Sequence, residues 1–195
     1  MPPGLVNAAN ALTVARLILV PVVVVCLVAD GVAGRVAAFA AFAIASVTDL
    51  LDGRIARSRG LITDFGKIAD PIADKALTGA ALITLSALGQ LPWWVTAVVL
   101  IRELGVTGLR FWVIRRGVIA ASRGGKLKTM LQVLAISLYV LPGIYGWLRE
   151  VVMAVAVAVT LVTGADYVAR AFRLRRHPPG RPGQRERPQR PGLVG

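Results

Sequence analysis

The chain has 195 residues, 56% of them hydrophobic, with a mean hydropathy of +0.68 and a formal net charge of +13. Its apolar residues come in runs too long for a soluble core, which excludes an ordinary globular domain and points to an all-α, polytopic membrane protein. The single cysteine, Cys26, excludes an internal disulfide and a thiolate metal cluster and reads as a small packing residue.

Near the N-terminus, Asn7 or Asn10 is placed to cap a helix that carries Thr13 and Arg16 on related faces. The apolar span that follows runs to about residue 28. A cleaved signal peptide is the rival reading, but the positive end is thin, no small-residue cleavage site follows, and more spans come after it. A turn around Asp30, Gly31 and Gly34 leads to a second span, about 35–57, whose last turns hold Asp49, Asp52, Gly53, Arg54, Ala56 and Arg57. The loop SRGLIT separates it from a third span, which begins near Asp64 or Phe65, ends around Leu88 and carries Gly66, Asp70 and Asp74 early. Pro71 either lies in a first helical turn, where its missing N–H does no harm, or kinks a helix that began earlier.

The turn GQLP opens a fourth span with Trp93 and Trp94 at its interface end and Arg102, Glu103 and Arg110 inside it. Residues 115–128 read as a basic loop, 129–147 as a fifth span and 151–171 as a sixth. The segment 173–195 is rich in Arg, Pro and Gly, contains the lone histidine, His177, and is expected to be a disordered basic tail behind a membrane domain of residues 1–172. Six transmembrane helices put both termini on one side. Arg54, Arg57, Arg59, Lys67, Arg115, Arg116, Arg123, Lys126, Lys128 and the tail arginines fall on that side, whereas the opposite loops offer only Arg35 and Arg149. The positive-inside rule makes the termini cytoplasmic and accounts for most of the charge without nucleic acid.

Asp49 and Asp52 lie three apart and Asp70 and Asp74 four apart, so each pair shares a helix face. A carboxylate near a bilayer centre costs from roughly 2.5 kcal/mol upward, so four of them require compensation. Oxygen-rich sites suit Mg²⁺ or Mn²⁺, and two such ions about 4 Å apart stabilise the attacking and leaving oxygens of a phosphoryl displacement. The competing readings are a divalent-cation transporter, for which deeper polar residues are scarce, and structural pairing with Arg54, Arg57, Arg102 or Arg110. Gly53 and Ala56 leave room for a pyrophosphate to approach the helix backbone, and Arg57 offers it a planar fork of donors.

Asp49, Asp52, Gly53, Ala56, Arg57, Gly66, Asp70 and Asp74 match the pattern D-x2-D-G-x2-A-R-x8-G-x3-D-x3-D without a departure, and in this the chain resembles the CDP-alcohol phosphatidyltransferase family. The resemblance implies a six-helix membrane enzyme, usually a homodimer, that transfers a phosphatidyl group from a CDP-lipid to an alcohol and releases CMP. It implies that Asp49, Asp52, Asp70 and Asp74 bind Mg²⁺ or Mn²⁺, that Asp74 is also the general base, and that Gly53, Ala56 and Arg57 line the CDP-lipid pocket, with Thr13 a weaker addition.

The segments NAANALTVARLILVP, DFGKIADPIADK, IRELGVTGLR and GGKLKTMLQ are similar to those of the bacterial phosphatidylglycerophosphate synthase branch. That likeness implies CDP-diacylglycerol and sn-glycerol 3-phosphate as substrates at the cytoplasmic face of the plasma membrane. Arg110, Lys126 and Lys128 are the cations expected to hold the acceptor phosphate. Cardiolipin synthase and phosphatidylinositol phosphate synthase are the near alternatives. Arg16 is expected to snorkel or pair with an acid, Thr13 to bond its own backbone if not the ligand, and Glu103 to orient an arginine.

Overall fold

A computed structural model describes the backbone of residues 8–29, 31–59, 64–113 and 123–176, and the side chains of residues 11–29, 31–49, 72–109 and 125–172. The described residues form six helices: α1 Ala8–Val28, α2 Val32–Arg59, α3 Asp64–Ala87, α4 Trp93–Val113, α5 Arg123–Val140 and α6 Gly146–Arg176. Three of them contain stretches long and apolar enough to cross a bilayer: Ala11–Val28, Val32–Asp49 and Gly146–Phe172. The other three carry ionisable residues inside their length: Asp70, Asp74 and Lys75 on α3, Arg102 and Glu103 on α4, and Lys126 and Lys128 on α5.

Helix α1 packs on α2 and α3, and α6 packs on α4 and α5, while α3 also meets α4 and α5 and joins the two halves. Val23, Phe42, Leu82, Leu85 and Ile136 are fully buried between them. Much of the remaining apolar surface points outward, including Ile18, Val25, Ile101, Met130 and Val162. Exposure to water would cost roughly 25 cal/mol per Å² of such surface, a penalty that lipid removes. The sequence therefore divides its apolar residues between a packed interior and a lipid-facing exterior.

Connections fix which ends of the helices meet. At the α1–α2 turn Gly31 takes φ +97°, and a Cβ on Gly34 would lie 2.8 Å from the Ala29 carbonyl oxygen, so the hairpin closes only on glycine. Helix α3 ends with Gly89 at φ +70°, its N–H donating to Ser86 O and that of Gln90 to Leu85 O, both at 3.0 Å. This closure satisfies carbonyls that the helix end would leave open. The Ser86 and Thr96 hydroxyls then share a hydrogen bond of 2.7 Å, and Thr96 Oγ1 donates to Leu82 O at 3.2 Å, pinning α4 to α3.

Several expected boundaries move. Pro71 lies well inside α3, since that helix already begins at Asp64, so of the two readings it is the mid-helix proline. The basic segment expected as loop to residue 128 is helical from Arg123, because Lys and Leu favour helix and Lys128 is anchored at its side chain. Helix α5 stops at Val140 rather than near residue 147, since Leu141 precedes Pro142 and is steered away from helix, and Gly143 takes φ +79°. Helix α6 accordingly starts at Gly146 and continues to Arg176, past the boundary at 173, with no proline to break it before Pro178. The rest of the basic tail lies outside the described residues.

Candidate active site

Asp49 and Asp52 occupy the last turns of α2, and Asp70 and Asp74 the first half of α3. Because α3 follows α2 after a short connection, both pairs belong to the same end of the bundle. The side chains of Asp52, Gly53, Ala56, Arg57, Gly66 and Asp70 lie outside the described residues, so their helical placement is what is established. Asp49 and Asp74 are described in full. Among the described residues, Asp49, Lys75, Glu103 and Lys128 are charged groups whose fields act on the Asp74 carboxylate.

The first cation delivered to this end comes from α1. Arg16 is fully buried, and its Nη1 lies 2.7 Å from Asp49 Oδ1, the carboxylate being one-third exposed. Thr13, one turn earlier, is also buried, so both residues face inward. Of the two expectations for Arg16, pairing with an acid is the one realised. Burial without such a partner would be costly for a guanidinium, which is why an arginine within an apolar helix points at a carboxylate.

Helices α3, α4 and α5 together build a second charged group. Glu103 Oε1 accepts from Arg102 Nη1 at 2.9 Å and also from Lys128 Nζ, while Arg102 Nη2 donates to Thr163 Oγ1 on α6 at 3.1 Å. Gly164 makes this possible, since a Cβ there would lie 3.1 Å from Arg102 Cγ. A cleft of about 80 Å³ collects Asp74, Thr78, Glu103, Lys128 and Gln132. That is room for a few waters or one small anionic group rather than a nucleotide. Of the three cations expected around the acceptor phosphate, Lys128 lines this cleft, Lys126 is exposed on α5, and the Arg110 side chain lies outside the described residues.

The donor chemistry fits a hard divalent cation: Asp49 and Asp74 stand on adjacent helices, each within the other's field, and both offer only oxygen. The described side chains alone hold no cluster of three or more metal-ligating residues, and those of Asp52 and Asp70 lie outside them. The Arg16 guanidinium offsets the negative charge of Asp49. Among the described residues Arg102 faces Glu103 rather than Asp49 or Asp74, which gives no support to the competing reading of structural pairing with Arg102.

Sequence reasoning expected an acid for Arg16 and an arginine for Glu103, and the structure supplies Asp49 and Arg102. The sequence named neither Asp49 nor the second partner of Glu103, Lys128. The available signal was the presence of Arg16 and Glu103 inside apolar segments, where an ionisable residue normally has a dedicated partner.

Fold and site together define a helical membrane protein with carboxylates and their counter-cations gathered at one end of the bundle. Residues 6–162 match the family model described as CDP-alcohol phosphatidyltransferase, and the chain belongs to that family. It is 57% identical over 172 residues to a probable phosphatidylglycerophosphate synthase of Mycobacterium tuberculosis (strain H37Rv), covering 86% of this chain and 82% of that relative. A CDP-diacylglycerol–glycerol-3-phosphate 3-phosphatidyltransferase of Bacillus subtilis is 37% identical over 182 residues, with 84% and 94% covered. A protein of the same description from Rickettsia typhi is 36% identical over 168 residues, with 83% and 94% covered.

Proposed function

We propose that this protein joins CDP-diacylglycerol to sn-glycerol 3-phosphate, forming phosphatidylglycerol phosphate and releasing CMP, at the cytoplasmic face of the plasma membrane. The observation that carries the reading is the cleft in which the Asp74 carboxylate and buried Lys128 stand together, a proton acceptor beside a cation suited to an anionic alcohol. The printed descriptions of the relatives support the same substrates.

In this reading Asp74 takes the proton from the glycerol hydroxyl as that oxygen attacks the β-phosphorus of CDP-diacylglycerol, and the bond to the CMP oxygen breaks. Direct displacement is favoured, since no serine or histidine motif offers a covalent route. Glu103 holds Lys128 over the cleft, and Lys128, with Lys126 and Arg110, binds the phosphate of the acceptor. Gly53, Ala56 and Arg57 line the CDP-lipid pocket, and Thr13 supports it through the α1 face that also carries Arg16. Asp49, Asp52, Asp70 and Asp74 would hold Mg²⁺ or Mn²⁺, two ions in this scheme, which when bound neutralise pyrophosphate charge and favour departure of CMP. All six helices span the bilayer with both termini cytoplasmic, and the exposed apolar faces include one buried in a homodimer. Residues 1–172 are the membrane domain and the remainder a basic tail.

The test is CMP release by purified protein with CDP-diacylglycerol and Mg²⁺, comparing glycerol 3-phosphate, inositol phosphate and phosphatidylglycerol as acceptors. Release that depends on glycerol 3-phosphate is expected. Dependence on either other acceptor would place the protein elsewhere in the family, and nucleotide-independent metal flux would mark a transporter.

A further inference from the structure

The end of the bundle opposite Asp74 holds the only two cations that the sequence assigns to that side, Arg35 and Arg149, and the fold brings both to one residue. Arg35 Nη1 donates to the Tyr139 carbonyl at 3.4 Å, and the Arg149 guanidinium lies 5.2 Å from the centroid of the Tyr139 ring. Neither has a carboxylate partner among the described residues. Arg149 Nε and Gln90 Oε1 are buried with no hydrogen-bond partner. A cavity of about 310 Å³ is lined by Arg35, Gln90, Tyr139, Pro142 and Arg149. A larger one, about 820 Å³, shares Gln90, Tyr139 and Arg149 and is walled by Trp93 and Trp94.

We propose that Arg35, Arg149, Tyr139 and Gln90 form a binding site for the phosphodiester headgroup of a membrane phospholipid, on the membrane face opposite the aspartates. A membrane protein disfavours cations on this side, so two half-buried guanidiniums that line one cavity, with no carboxylate partner among the described residues, suit an anion from elsewhere. Their forked donors match phosphate oxygens, and a bound phosphate satisfies the orphaned Arg149 Nε. The source is lipid because Trp93 and Trp94, 56% and 61% exposed, sit at the rim as headgroup-level aromatics do. Both cavities fall within the range of about 300–1,000 Å³ usual for small-ligand pockets. Glu150 lines the larger cavity and repels a second negative charge, which favours a singly charged diester over a phosphate dianion.

The experiment is a tryptophan-fluorescence titration of the delipidated full chain in non-ionic detergent, in a Trp112→Phe background. The remaining tryptophans, Trp93, Trp94 and Trp147, all belong to this end. Dihexanoyl phosphatidylglycerol should give a saturable signal, and Arg35→Gln with Arg149→Gln should weaken it about tenfold or more, the scale of losing charge-assisted bonds. Arg149→Lys should recover part of that loss, and Arg170→Gln, at the other end, should have no effect. Inorganic phosphate acting at the same concentration would overturn the lipid assignment. Equal titration of the double variant and the parent would overturn the site. A helical far-UV spectrum checks folding. If the double variant does not fold, Glu150→Gln decides, because tighter lipid binding is expected and unchanged affinity overturns the proposal.

Discussion

The two ends of this helical bundle handle buried charge in opposite ways. At the Asp74 end, Arg16, Arg102 and Lys128 each face a carboxylate, and those carboxylates belong to or adjoin the family motif. At the far end, Arg35 and Arg149 rest on a backbone carbonyl and an aromatic ring. Charges that are paired internally can be held in position for chemistry, whereas charges with no acid partner among the described residues are open to an external one. The first arrangement rigidifies a site and the second leaves a vacancy in the electrostatics for a ligand.

The largest effect should come from breaking the acidic end. On the proposed mechanism Asp74→Asn removes the proton acceptor and should lower turnover by about 10²–10⁴-fold, with less loss of CDP-lipid binding than Asp49→Asn, as measured by CMP release alongside nucleotide-lipid titration. Asp49→Asn should lose both turnover and binding. It should also lower the melting temperature, since it removes the charge of Asp49 from its 2.7 Å ion pair with buried Arg16, at a cost of about 1–3 kcal/mol for this partly exposed pair. Equal loss of CDP-lipid binding in the two variants would remove the distinction between base and ligand.

Next in size is Glu103→Gln, which keeps the shape of the side chain but withdraws the charge that Lys128 and Arg102 share. Lys128 is then no longer held over the cleft, and the KM for glycerol 3-phosphate should rise about tenfold while that for the CDP-lipid stays near its parent value. A uniform change in both constants would show a general structural role instead. Smaller again is Gly164→Ala. Alanine gains about 1 kcal/mol of helix propensity over glycine, but its methyl would press on Arg102 Cγ at 3.1 Å. Arg102 cannot swing away freely because its far end is tied to Glu103 and Thr163. Overpacking of this kind costs about 1–3 kcal/mol, so a net loss of stability with a two- to threefold rise in acceptor KM is expected. A higher melting temperature would show that Arg102 relaxes.

The motif and the helical periodicity made α1 to α4 legible within a few residues, because each is a long apolar run bounded by Gly, Pro or Asn. The α5–α6 junction was misplaced for a physical reason: Ile144, Tyr145 and Trp147 continue the hydropathy of a span, while Pro142 and Gly143 stop the helix. The aspartates were legible as a group since their spacing alone puts each pair on one face. Their partners were not, because Arg16 and Asp49 lie on different helices and spacing says nothing about a contact between helices. Glu103 posed the same problem. An acid inside a span announces a partner, but only the packing of α4 and α5 on α3 selects Lys128 and Asp74 as its neighbours.

Thr96→Val tests the same contrast from the inactive side. The Ser86–Thr96 hydrogen bond lies near the end opposite Asp74 and touches neither the cleft nor the aspartates. Valine fills nearly the same space but cannot donate to Leu82 O or pair with Ser86, so a buried hydroxyl and a carbonyl each lose a partner. In water that would cost about 1–3 kcal/mol, yet interhelical hydrogen bonds within membranes average only about 0.6 kcal/mol, because the separated helices also find partners. A stability loss of about 1 kcal/mol with unchanged kcat and KM is therefore expected, read from thermal unfolding in detergent and from CMP release. A change in KM for glycerol 3-phosphate would mean that the packing of α4 on α3 reaches Glu103, and that the two ends are coupled along these helices rather than separable.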